Sequence, residues 1–217
     1  MNKWLRWASL LPLGFAIGLW IGTHDQMTTQ DWLLVAGVLV LTFALFFIPS
    51  LQAVFWTPDI DKVEAFLKRT RAKYLQNGII LDAANGDFEA VERAIPRIRN
   101  KRIRAAALIS LHLERREIQE ALRLLDDVQS VSHRNYVQAI IAIMQNDFDR
   151  ADAFKDGIRS KVLQLAIDAE IAFKKGEQAK ADQIGQQVLA QARGVLKFSF
   201  TRSLERQQRS PQRSMYF

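Results

Sequence analysis

The 217-residue chain has no cysteine, which excludes disulfides, thiolate metal sites and cysteine nucleophiles and suits a reducing compartment. Its only histidines, His24, His112 and His133, stand far apart without ligand spacing, so they read as surface or packing residues. There is no glycine-rich phosphate loop, no nucleophile with a base at a workable spacing, and no carboxylate pair set apart from the helical pattern. The expectation is a non-enzymatic protein with no catalytic residue, cofactor or metal. Charge is also scarce at one end. Residues 1–58 hold only Lys3, Arg6, Asp25 and Asp31, and the remainder of the chain carries the whole net excess of +7.

That uneven charge suggests two parts in two solvents. Residues 1–58 read as a transmembrane hairpin, with spans at about 4–22 and 32–50 long enough for a bilayer core of roughly 30 Å if Arg6 snorkels. Tryptophans 4, 7, 20 and 32 sit near the span ends, and the loop THDQMTTQD between the spans has no Lys or Arg. Lys3 and Arg6 on one side and Lys62, Lys68, Arg69, Arg71 and Lys73 on the other then place both the N-terminus and the C-terminal part in the cytoplasm, as a multi-pass protein of the cell membrane. A cleaved signal peptide is the alternative, disfavoured because no small-x-small site follows Trp20 and a second span comes at once. Gly14, Gly18 and Gly22 share one helix face, which suits a homodimer or packing within the hairpin against Ala36, Gly37 or Ala44.

Residues 59–75 read as a linking helix, begun by a Thr57 hydroxyl cap, Pro58 and the carboxylates of Asp59 and Asp61. Beyond it the chain repeats itself. NGDFEAVERAI (85–95) is followed at intervals of thirty residues by RREIQEALRLL, QNDFDRADAFK and KGEQAKADQIG. The register aligns Asp87, Glu117, Asp147 and Glu177 in one column and Val91, Ala121, Ala151 and Ala181 in another. Apolar columns flank the turn, among them Leu81, Leu111, Ile141 and Ile171 before it and Ile98, Val128, Ile158 and Val188 after it. A fixed period in this range is the signature of stacked helical hairpins. Gly86, Arg116, Asn146 and Gly176 take the turn position, where glycine and asparagine suit a left-handed helix end and arginine does not. The acidic column reads as helix-start chemistry rather than a site, because a carboxylate there meets the positive end of the helix dipole.

The turn glycine, the acidic residue after it, Phe88 and Phe148 next, and the small residue three beyond resemble the central pattern of the tetratricopeptide repeat over residues 76–190. The period departs from that family, thirty residues against about 34, and the family's first-helix tryptophan and glycine are absent. The resemblance implies an all-α fold: a helical repeat domain at 76–192, an α-solenoid of about four hairpins behind the two-helix membrane anchor. In overall layout the chain is also similar to the bacterial HemY-type envelope proteins, a likeness of architecture that implies no heme chemistry.

In the tetratricopeptide family partners lie against the first helices on the concave face. Carried over by alignment, those positions include Gln76, Ile80 and Ala83, then Ala106, Ser110, Leu113 and Glu114, then Tyr136, Ile140, Ile143 and Met144, then Ala166, Glu170, Phe173 and Lys174. The resemblance implies partner contacts at Ile80, Leu113, Tyr136, Ile140, Ile143, Met144, Phe173 and Lys174, with core packing as the competing role for several. A separate electrostatic reading rests on Arg97, Arg99, Lys101, Arg102 and Arg104, and on Arg202, Arg206, Arg209 and Arg213 in a basic segment at 193–217 expected to be disordered. That segment would attract anionic membrane lipid; nucleic acid is disfavoured, since few aromatics interleave the cations. The leading expectation is a membrane-anchored adaptor that binds a protein segment through its repeats.

Overall fold

The computed structural model describes residue 18 and residues 28–51, 55–210 and 215–217. Among the described residues the chain is all-α, with eleven α-helices and no strand. It divides into two compact units, Met1–Leu51 and Gln52–Phe217.

In the first unit, helix α1 (Thr29–Leu51) starts at a reciprocal cap. Asp31 accepts from the Thr28 N–H at 2.9 Å and the Thr28 hydroxyl at 2.7 Å, while its own N–H donates to Thr28 Oγ1 at 3.3 Å. The two residues thereby satisfy donors that a helix start otherwise leaves open. Trp32, Leu33, Leu34, Leu39, Val40 and Leu41 are exposed on this helix. Among the described residues, however, no helix is long and apolar enough to cross a membrane. The multi-pass membrane placement, and with it the cytoplasmic assignment of the N-terminus and the C-terminal part, is therefore corrected, and the expected transmembrane hairpin has no support. Apart from Gly18, the first expected span lies outside the described residues, and so do Gly14 and Gly22.

The second unit opens with α2 (Ile60–Thr70). Its cap is Asp59 rather than Thr57: the Asp59 carboxylate accepts from the N–H groups of Asp61 and Lys62 at 3.1 and 3.2 Å, and the Thr57 hydroxyl accepts from Asp59 N–H one step earlier. Four helix pairs follow: α3 (Leu75–Ala84) with α4 (Phe88–Ala94), α5 (Lys101–Glu114) with α6 (Ile118–Arg123), α7 (Val131–Met144) with α8 (Phe148–Asp156), and α9 (Lys161–Lys174) with α10 (Gln178–Gln191).

The turns within the pairs share one geometry. Gly86, Arg116, Asn146 and Gly176 all stand in the left-handed region, at φ 78°, 59°, 61° and 79°. At each turn the next residue's N–H reaches back across the helix end, from Asp87 to Asp82, Glu117 to His112, Asp147 to Ala142 and Glu177 to Ala172, at 2.8–2.9 Å. The left-handed residue itself donates to Ala83, Leu113, Ile143 or Phe173 at 3.0–3.1 Å. These bonds satisfy carbonyls that a helix end leaves open, which is why the reversal recurs. Asp87 and Asp147 also cap the second helix, accepting from Ala90 and Arg150 at 2.9 and 3.1 Å. Glu117 and Glu177 carry one methylene more and turn elsewhere, to His112 at 2.6 Å and Lys180 at 2.7 Å.

The first helices of the later pairs start alike. Asn100, Ser130 and Ser160 each accept from an N–H two or three residues on, the side-chain capping these residue types favour. Ala121, Ala151 and Ala181 are fully buried and Val91 nearly so, which lets the paired helices approach closely. The core is a chain of small clusters, such as Ile79, Val91, Ile98 and Leu111 at one junction and Ile109, Val128 and Ile141 at the next.

The largest difference from expectation is at the C-terminal end. Residues 194–209 are not a disordered tail but helix α11 (Gly194–Arg209), which packs on α2, α3 and α10. Phe198 is fully buried among Val63, Leu67, Leu81 and Ala84, and Phe200 packs with Ala166, Val188 and Ala192. Burying two large aromatics supplies the apolar gain that a solvated basic segment lacks.

Candidate functional site

The inner face of the second unit is built from the first helices of the pairs and is partly covered by α11. Two openings lie along it among the described residues. The larger, about 1020 Å³, lies between α3, α4, α5 and α11, with Ile79, Ile80, Ala83, Phe88, Ile103 and Ala107 among its apolar lining and Arg102, Glu114 and Arg206 among its polar groups. The smaller, about 420 Å³, is bordered by Leu113, Tyr136, Ile140, Met144, Glu170 and Lys174, and on the far side by Phe200, Met215 and Phe217.

The positions carried over by alignment fall mostly on these openings. Gln76, Ile80, Ala83 and Ala106 line the larger; Leu113, Tyr136, Ile140, Met144, Glu170 and Lys174 the smaller; Ser110 and Glu114 both. Ile143 does not belong with them: it is fully buried with Ala139, Ala151 and Ile167, and its role is core packing. Ala166 is likewise buried. Phe173 is half-buried and meets Tyr216 edge to face, 6.1 Å between ring centres. Burial, then the Glu170 charge, pushes the Tyr136 phenol above its ordinary range, so it stays neutral at physiological pH.

Two arginines of α11 point inward. Arg202 bonds Glu64 on α2 and, at 2.9 Å, Glu205 on its own helix. Arg206 reaches Glu114 at 3.4 Å and lies 4.9 Å over the Phe88 ring, a cation–π distance. Lys68 and then Arg202 hold the Glu64 carboxyl below its ordinary range, and Glu205 and then Glu64 raise the Arg202 guanidinium. Two cations assigned to an anionic surface are thus engaged with carboxylates. Of the others, Arg97, Arg99, Arg102 and Arg209 are exposed, Arg104 is half-buried, Lys101 pairs with Asp127 at 2.7 Å, and Arg213 lies outside the described residues.

Among the described residues the most enclosed charged one is Glu170, only 2% exposed. Its carboxylate accepts from the backbone N–H groups of Tyr216 at 2.7 Å and Phe217 at 2.9 Å. Tyr216 sits in a socket of small residues, Ala169, Ala172 and Ala181. Gly185 forms the socket wall, where a Cβ would come within 2.3 Å of the Tyr216 ring. Phe217 meets Phe200 at a tilt, 4.7 Å between ring centres. Sequence reasoning placed Glu170 on this face but found neither Gly185 nor the Tyr-Phe pair; two adjacent aromatics after a basic stretch were the available signal.

No family model matches the chain, and neither a curated protein nor a solved structure matches it.

Proposed function

We propose that the chain is a tetratricopeptide-like helical-repeat scaffold that binds a segment of a partner protein through its inner face and performs no catalysis itself. The observation that carries this reading is the larger apolar cleft, about 1020 Å³, lined by the first helices of the first two pairs. Clefts of this size with a few polar groups are where proteins take up ligands and peptide anchors. The shorter period fits short second helices: α4 and α6 have only 7 and 6 residues before a 3-10 turn. The electrostatic alternative is weakened by Arg202 and Arg206, whose charges are already matched by Glu64 and Glu114.

A photo-crosslinking side chain at Ala106, inside the cleft, is expected to give one defined protein adduct in cells. The adduct should fall by at least about tenfold when Ile80→Glu places a buried charge against the partner. The same crosslinker at exposed Glu120 should give none. Equal adducts at both positions, or none at Ala106, would remove the reading.

A further inference from the structure

Tyr216 and Phe217 are held much as a bound peptide is held. Their two successive amides share one buried carboxylate, one ring enters a socket of alanines and a glycine, and the other packs at a tilt against an aromatic of the groove wall. Each contact is addressed to backbone or to an aromatic face. The two amide donors come from adjacent residues, and a carboxylate with two oxygens matches them one to one.

Glu170 contributes a second argument. A carboxylate at 2% exposure is costly unless it is hydrogen-bonded, and the two N–H groups are among the donors that offset that cost. The Glu170 end of the face is therefore suited to backbone amides. Gly185 sets the size of the tyrosine socket, because any side chain there occupies the ring's place. Two of the positions carried over by alignment, Glu170 and Phe173, are in contact with Tyr216 and Phe217.

We propose that the inner face carries a subsite for an aromatic dipeptide, occupied in cis by Tyr216-Phe217 and open in trans to a partner segment with the same aromatic pair and two free amides. The inference rests on the reading of the inner face as a peptide-binding surface and names the chemistry at its Glu170 end. The cis segment competes with any partner, since a tether of a few residues gives an effective concentration on the order of millimolar. A partner reaches the subsite only when it binds tightly enough to displace that segment or when another contact lifts it.

The test uses the full chain with the subsite emptied by Tyr216→Ala and Phe217→Ala together. A fluorescein-labelled peptide of residues 212–217 is titrated against it and read by anisotropy. The emptied chain should bind the peptide at least about tenfold more tightly than the unchanged chain, whose subsite is filled. Adding Gly185→Ala should abolish the gain, because the new Cβ takes the position of the tyrosine ring. No binding to an emptied chain that keeps its helical circular dichroism would overturn the proposal, as would binding that Gly185→Ala leaves intact. Should the emptied chain not fold, Gly185→Ala alone in the unchanged chain decides: alanine favours the helix, and amide hydrogen exchange at Tyr216 and Phe217 should rise by about tenfold or more. Unchanged protection there rejects the subsite. The crosslinking at Ala106 probes the other cleft, so failure of the subsite and failure of the scaffold reading are told apart.

Discussion

Arg116 holds a left-handed backbone at φ 59°, a conformation that crowds its Cβ against the backbone and costs about 1–2 kcal/mol for an L-residue. It is tolerated because both turn hydrogen bonds depend on it, Arg116 to Leu113 at 3.1 Å and Glu117 to His112 at 2.8 Å. Arg116→Gly should therefore stabilise the protein by about 0.5–1 kcal/mol after glycine's own entropic cost. A higher urea midpoint with unchanged slope would show it. The same substitution at Arg115, which stands at φ −80° in the helical region, should lower the midpoint instead.

Glu64 offers a pH-dependent counterpart. Its folded value lies below the ordinary 4.5, so the ionised form is favoured by folding. The contribution is complete above the unfolded value and is lost as pH falls through the depressed folded value. Melting temperature should accordingly drop in acid below about pH 4.5. Glu64→Gln should show a shallower drop over that range, while lying below the unchanged protein at pH 7. An identical acid slope in both proteins would mean that the contacts with Lys68 and Arg202 do not contribute.

At the scale of elements, α11 joins parts of the chain that are remote in sequence. Phe198 is fully enclosed by α2 and α3, and Phe198→Ala should cost about 3–5 kcal/mol through lost burial and the cavity left behind. Equilibrium denaturation would measure the loss. Hydrogen exchange should show it concentrated in α2 and α11, leaving α7 and α8 protected. Why α11 was not legible follows from its partners: Arg202 meets Glu64 at a separation of 138 residues and Arg206 meets Glu114 at 92. Nothing local marks a cation as destined for a carboxylate so distant, and the same arginines read as a solvated basic stretch. The helix pairs were legible for the opposite reason. Their signals, a left-handed position, an acidic cap and a small residue at fixed offsets, act within one turn of chain. The caps Asn100, Ser130 and Ser160 carry the same thirty-residue spacing and strengthen that pattern. The inner-face positions could be read because the period fixes which side of each first helix faces inward. Ile143 failed because the closely packed junction of α7, α8 and α9 takes its side chain into the core.

At the scale of the second unit, a stack of helical pairs is normally a sum of neighbours, able to gain or lose a unit without disturbing distant ones. Here α11 spans from Val63 and Leu67 on α2 to Val188 on α10. Phe198 and Phe200, two residues apart and so about 200° apart around the helix, face these two groups of helices from opposite sides of α11. Adding or removing one pair would change the distance between α2 and α10 while the helix wedged between them kept the same thickness. The number of pairs is thus a quantity that the wedge counts. A variant of this chain with three or five pairs would need a new closing helix, whereas substitutions within any one pair leave the count untouched.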